Sequence, residues 1–315
     1  MAIVAIVCAP LAVIQAAEAP SASLKTFLEK EGFGGAPLQR RLGNHLFVTA
    51  TMNGKPTALM IDTGSPRTLI DRGAIRQLGL EVRRTKVPVG GIWGSKPEHY
   101  GVSTLATLAM GNCTFTNVPI TVADESHINR IRGPHLDGLF GAHEMSKFGM
   151  IIDCTRQMIY VNPKGPDSTT TRRLSDFLAR RGFTRIPMRF DERHHLAIDA
   201  ALNGHPTRLI VDTGASTTLL ASSVARASAV SLSPLKIRIR DSVAGIVPIK
   251  IGHVQQLTLG NLQIPNAEVV VANIAKEGGA GLLGEEYLSW NFGIVDVGGM
   301  NLYLRPPESE SPKKR

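Results

Sequence analysis

The stretch Asn53-Gly54-Lys55-Pro56-Thr57-Ala58-Leu59-Met60-Ile61-Asp62-Thr63-Gly64 returns as Asn203-Gly204-His205-Pro206-Thr207-Arg208-Leu209-Ile210-Val211-Asp212-Thr213-Gly214, in unbroken register 150 residues further on. Each copy is an Asn-Gly turn, an apolar run with β-branched members, and an Asp-Thr-Gly triplet. Asn-Gly between two such runs is a strong hairpin signal, so the triplet falls where a hydrophobic strand ends. A single Asp-Thr-Gly arises by accident in about one chain in twenty of this length. Two in register do not, and they point to an active site divided between two units.

The repeat reaches outward from the triplets. Upstream, Phe27-Leu28-Glu29-Lys30-Glu31-Gly32-Phe33 matches Phe177-Leu178-Ala179-Arg180-Arg181-Gly182-Phe183 at the same offset. Downstream, Met110-Gly111-Asn112 matches Leu259-Gly260-Asn261, and Gly138-Leu139-Phe140-Gly141 matches Gly281-Leu282-Leu283-Gly284, at offsets of 149 and 143. Deletions in the second copy account for the drift. Both copies close on one signature, Asp153 through Tyr160 to Pro163 and Asp296 through Tyr303 to Pro306. The units are therefore 24–163 and 174–306, each of about the size that buries its own core. Residues 164–173 read as an interlobe linker and 307–315 as a disordered tail.

Gly111-Asn112 and Gly260-Asn261 mark a second hairpin in each unit, so each is mostly β. A short helix opens each repeat, with Leu24, Phe27 and Leu28, and again Leu174, Phe177 and Leu178, on an i, i+3, i+4 face that stops at Gly32 or Gly182. The adjacent His194 and His195 are expected on opposite faces of a strand.

Residues 1–19 begin with an uncharged apolar run, Ala2 to Ile14, too short to span a bilayer and of the length of a secretory leader. No basic residue precedes it. The expectation is export to the periplasm or beyond, with a short inner-membrane anchor as the alternative. Beyond the leader the chain holds two cysteines, Cys113 and Cys154; Leu262 and Val297 stand at their positions in the other repeat, which favours two buried apolar-like residues over a disulfide. No cysteine or histidine spacing suits a metal, and no cofactor is expected. The net charge of +9 comes from scattered doublets such as Arg83-Arg84 and Arg180-Arg181, without a basic stripe or interleaved aromatics, which argues against nucleic acid as a partner.

Chemistry rests on the triplets. Gly64 and Gly214 let backbone N-H groups approach each carboxylate, and Thr63 and Thr213 are placed to hydrogen-bond across to the other unit. A lone Asp there would serve equally well as a turn former.

With both copies present, the chain resembles the aspartic proteases of the retropepsin and pepsin type, as two fused retropepsin-like units. The pattern is apolar-apolar-Asp-Thr-Gly-Ala/Ser, met here as Met60-Ile61-Asp62-Thr63-Gly64-Ser65 and Ile210-Val211-Asp212-Thr213-Gly214-Ala215. It is followed by apolar-apolar-Gly at Leu139-Phe140-Gly141 and Leu282-Leu283-Gly284. The resemblance implies two acid-protease β-barrel lobes with the active site between them, and an endopeptidase in which Asp62 and Asp212 activate a water. It also implies Gly-rich flaps, for which Gly90 to Gly94, with Gly91, Ile92 and Trp93, and Val243 to Ile246, with Gly245 and Ile246, are the candidates. Their apolar members suggest hydrophobic side chains beside the cleaved bond of a peptide or protein substrate.

The two turns differ after the glycine. Ser65 is expected to donate its hydroxyl to Asp62, while Ala215 offers Asp212 no such group, so Asp62 should be the more readily ionised partner. Two rival readings are a non-catalytic peptide-binding module and tandem lobes that each form a site by homodimerisation. The intact second triplet argues against the first. A ten-residue linker, spanning about 33 Å when extended, lets the lobes of one chain face each other and favours a monomer.

Overall fold

A computed structural model describes residues 23–88, 99–124, 136–234, 237–241, 245–274 and 279–306. The leader expected at 1–19, the tail expected at 307–315 and the first flap candidate, with Gly91, Ile92 and Trp93, lie outside the described residues. So do Val243 and Ala244 of the second.

Each repeat forms a closed six-stranded barrel. In the first, the Asn53-Gly54 turn joins strands Leu46–Met52 and Lys55–Asp62, pairing Met52 with Lys55. Both turn residues have positive φ, 47° and 76°, the conformation whose twist matches flanking strands and which Asn and Gly adopt most readily. Strand Gly138–Gly141 lies parallel to Lys55–Asp62 and antiparallel to Leu69–Asp71, threading between them. The long hairpin of His99–Met110 and Cys113–Ala123 completes the barrel, closing where Thr51 pairs with Ala109. The second repeat follows the same plan, with Gly281–Leu283 between His205–Val211 and Leu219–Ala221, and closure at Ala201 on Thr258.

A further sheet ties the barrels together. Its six antiparallel strands run Gly34–Pro37, Met158–Val161, Ile151–Asp153, Ile294–Asp296, Asn301–Leu304 and Thr184–Phe190, three from each repeat. The repeats meet at its centre, where Ile152 pairs with Val295. Helices Leu24–Lys30 and Ser168–Ala179 cover one face and bury Leu28, Leu174 and Leu178 against Ile151, Ile294, Tyr160 and Tyr303. Phe27 stacks on Phe177 with ring centroids 4.4 Å apart, so the two amphipathic faces pack on each other as well.

Two local readings are corrected. The segment 164–173 is helical from Ser168, because the Asp167 carboxylate accepts the N-H groups of Thr169 and Thr170 and caps the helix ahead of its first buried leucine, Leu174. His194 and His195 sit in a turn rather than a strand. Asp191 accepts the N-H groups of Arg193 and His195, His194 has φ 64°, and the strand begins at Leu196. Cys113 and Cys154 are free and separately buried.

Candidate active site

Asp62 ends strand Lys55–Asp62 and Asp212 follows strand His205–Val211, so each barrel delivers one carboxylate to the junction. The threonines beside them lock the two turns. Thr63 Oγ1 donates to Val211 O at 2.7 Å and Thr213 Oγ1 to Ile61 O at 2.8 Å, each reaching into the other lobe. In return, the N-H of Thr63 donates to Thr213 Oγ1 at 3.1 Å and that of Thr213 to Thr63 Oγ1 at 3.0 Å. Both threonines are fully buried, so all four bonds form away from competing water.

The glycines set the spacing of the carboxylates. A Cβ on Gly64 would collide with the Asp212 carboxylate, and a Cβ on Gly214 with that of Asp62. No larger residue lets the two loops come this close. The two carboxyls are therefore set side by side at the junction, close enough for each to act on the ionisation of the other. Asp62 Oδ1 accepts the N-H of Ser65 at 3.0 Å, and Asp212 Oδ1 that of Gly214 at 2.8 Å.

Below each turn a further pair of contacts anchors the loop. Thr68 Oγ1 accepts the N-H of Gly141 at 3.2 Å, and Thr218 Oγ1 that of Gly284 at 3.0 Å. The N-H of Thr68 donates to Glu144 at 2.7 Å and that of Thr218 to Glu286. The apolar-apolar-Gly motif thus braces the catalytic turn. A side chain at Gly141 or Gly284 would strike the backbone of Arg67 or Thr217. The two glutamates escape a repeat alignment because Glu286 matches His143 and Glu144 matches Tyr287.

Burial raises the pKa of Asp62, opposed by the Ser65 N-H, the neighbouring Asp212 carboxyl, the Gly64 N-H and His195. Burial raises Asp212 further, well above the carboxylate range, and the neighbouring Asp62 charge adds to it. The expected cause of this inequality is corrected: Ser65 Oγ donates to Arg67 O at 2.8 Å, and Ser65 acts on Asp62 through its backbone N-H. The N-H of Ala215 donates to the Asp212 backbone O at 3.3 Å and also acts to lower the Asp212 carboxyl. Among the surroundings, His195 acts on the Asp62 side. His195 is held by Asp191 at 3.2 Å, whereas its repeat counterpart His45 lies 3.5 Å from Ser216 Oγ and has its pKa lowered by burial. Of the flap candidates, Gly245 and Ile246 open strand Gly245–Leu259, which pairs with Ile237–Asp241 in a hairpin.

The aspartyl protease family profile matches residues 48–143, and that of the gag-polyprotein aspartyl proteases matches residues 198–290. Each covers one Asp-Thr-Gly and the apolar-apolar-Gly that braces it. Among solved structures, a retropepsin-like aspartic protease from Rickettsia conorii matches at 19% identity over 41% of this chain and 90% of that one, with a TM-score of 0.30. No curated protein matches. The chain belongs to the retropepsin-like aspartic proteases and carries two such units in tandem.

Proposed function

We propose that this aspartic protease is an endopeptidase whose single site is formed by Asp62 and Asp212 of one chain. The observation that carries the reading is the placement of the two carboxyls, each packed against the glycine of the opposite turn. Two carboxylates in contact cannot both ionise at neutral or acid pH, so one proton is shared. Both carboxyls are raised, and in this reading Asp212 holds the shared proton and Asp62 the charge. Asp62 then takes a proton from a bound water, which attacks the peptide carbonyl, while Asp212 donates a hydrogen bond to the carbonyl oxygen. The Thr63 and Thr213 exchange holds the two acids in place through the step, so little reorganisation accompanies the movement of charge.

The substrate in this reading is an extended polypeptide held by main-chain hydrogen bonds, with hydrophobic side chains beside the cleaved bond, the preference suggested by the apolar flap candidates Ile92, Trp93 and Ile246. Secretion through residues 1–19 would place the activity in the periplasm or outside the cell. A peptide library digested by the wild type, Asp62→Asn and Asp212→Asn tests the dyad. Loss of cleavage by at least about a thousandfold in both variants is expected from removal of an acid or a base. Wild-type rates in either one overturn the shared site, and internal cleavage after small or charged residues alone overturns the proposed preference.

A further inference from the structure

Asp153 and Asp296 hold the same place in the two repeats, at the ends of the two strands that meet at the centre of the interlobe sheet. Their surroundings differ. Asp153 Oδ1 accepts the N-H of Arg156 at 2.8 Å, and its Oδ2 meets the guanidinium of the same residue at 3.3 Å. Three residues after Asp296 stands Gly299, whose N-H reaches Oδ1 at 2.7 Å but which brings no cation. Asp296 Oδ2 is left buried with no partner, and the residue is 3% exposed. It borders a small, partly open cavity with room for about one water. The walls include Phe33, Gly149 and Ile151 of the first repeat, Thr171 of the helix Ser168–Ala179, and Asp296 and Gly299 of the second repeat.

The groups around Asp296 are otherwise engaged. Arg185, on strand Thr184–Phe190, gives its Nε-H to Asn301 Oδ1 at 2.6 Å and acts on Asp296 only through its charge. The hydroxyl of Tyr303 bonds Ser175 Oγ at 2.6 Å, and the Asp167 carboxylate is taken up by its helix cap. A neutral carboxylic acid is tolerated in such a space, whereas a carboxylate stripped of water and cation is not.

We propose that Asp296 is a proton-operated lock between the lobes: neutral, it leaves the central strands paired, and ionised, it draws water into the cavity and loosens the junction. Asp296 pairs directly with Ile151 of the other repeat, so solvent reaching its carboxylate enters at the seam. Burial pushes its pKa up to about 7, which places the transition in the neutral range. A carboxyl whose folded value is raised stabilises the fold fully below its unfolded value, and that contribution is lost as pH rises through the folded one. The lock is therefore closed in acid and released toward alkaline pH, whatever the substrate of the site above it.

Unfolding of the full chain, wild type against Asp296→Asn, tests this. Through this group the wild-type ratio of folded to unfolded protein should fall about tenfold between about pH 6 and pH 8, a slope absent from the variant. The dyad is the same in both proteins and cancels in the comparison. An equal pH dependence in the two proteins overturns the proposal. If the variant does not fold, amide exchange on the wild type decides. After correction for intrinsic rates, protection at Ile151–Asp153 and Ile294–Asp296 should fall over that interval relative to the barrel strands, and unchanged relative protection overturns the lock.

Discussion

The guanidinium of Arg40 in the first lobe meets the carboxylate of Glu285 in the second at 2.8 Å, and the equivalent places across the pseudo-two-fold axis hold Phe190 and Ala142. Arg40 also donates to Cys154 O, Ser289 Oγ and Asn44 Oδ1, and Ser289 donates to Glu285 Oε1. The lobes are thus riveted by charge on one side of the junction, where the other side has apolar residues in the same places. Because the Glu285 side chain is fully buried, removing its partner strands a charge. Arg40→Met should cost about 3–5 kcal/mol in denaturant unfolding, and the double variant Arg40→Met/Glu285→Leu distinctly less. Equal losses would show that the pair is not coupled.

Thr63→Val and Thr213→Val each remove a hydroxyl that both donates and accepts across the lobes, leaving a buried carbonyl and a buried N-H unpaired. Each should cost about 2–5 kcal/mol and lower kcat, while Thr→Ser at either place retains most of both. A valine variant with wild-type stability would contradict the assigned bonds.

Gly64→Ala and Gly214→Ala test the approach of the turns. The added methyl meets the opposite carboxylate, so the dyad must spread before the chain can fold. A fall in kcat of at least about a hundredfold with KM little changed is expected, since orientation of the acids is lost before substrate contacts are. Steady-state kinetics on the two variants provides the measurement.

The pH profile separates the two acids. Activity should fall toward alkaline pH as the dyad loses its shared proton, and toward acid pH as it gains a second one. Ser65→Ala should leave the acid limb in place, because the hydroxyl serves Arg67 O and the backbone N-H survives the change. His195→Gln should move that limb upward, since it deletes the electrostatic influence of His195 that favours ionised Asp62. The opposite pattern, a shift in the Ser65 variant and none in the His195 variant, would restore the hydroxyl as the cause.

The same shifts bear on stability. Both dyad carboxyls are raised, so the contribution of the protonated pair is complete below the ordinary carboxylate range and is lost as pH rises through the raised values. Asp212→Asn should therefore flatten part of the stability curve at its alkaline end, which calorimetry across pH would detect.

Much of the barrel was legible because its determinants are local and occur twice. The Asn-Gly turns, the apolar runs ahead of the aspartates and the Leu24 and Leu174 helix faces each announce one element, and the second copy removes chance. The triplets could be read for chemistry because spacing alone sets the two acids on equivalent turns. What escaped depends on side chains that meet only in three dimensions. Asp167 turns a polar, linker-like segment into a helix through two hydrogen bonds, and Asp191 turns a pair of histidines out of a strand. The Ser65 hydroxyl has two acceptors within reach, and sequence cannot choose between Asp62 and Arg67 O. Arg40 and Glu285, 245 residues apart and without counterparts in the repeat, carry no periodic signal at all.

The interlobe sheet takes three strands from each repeat of one covalent chain, which makes meeting of the lobes a unimolecular event. Two free halves would face each other only in proportion to their concentration, whereas the tether fixes an effective concentration that does not change with the amount of protein. Specific activity should therefore hold constant on dilution, in a compartment where the enzyme is scarce as much as where it is abundant.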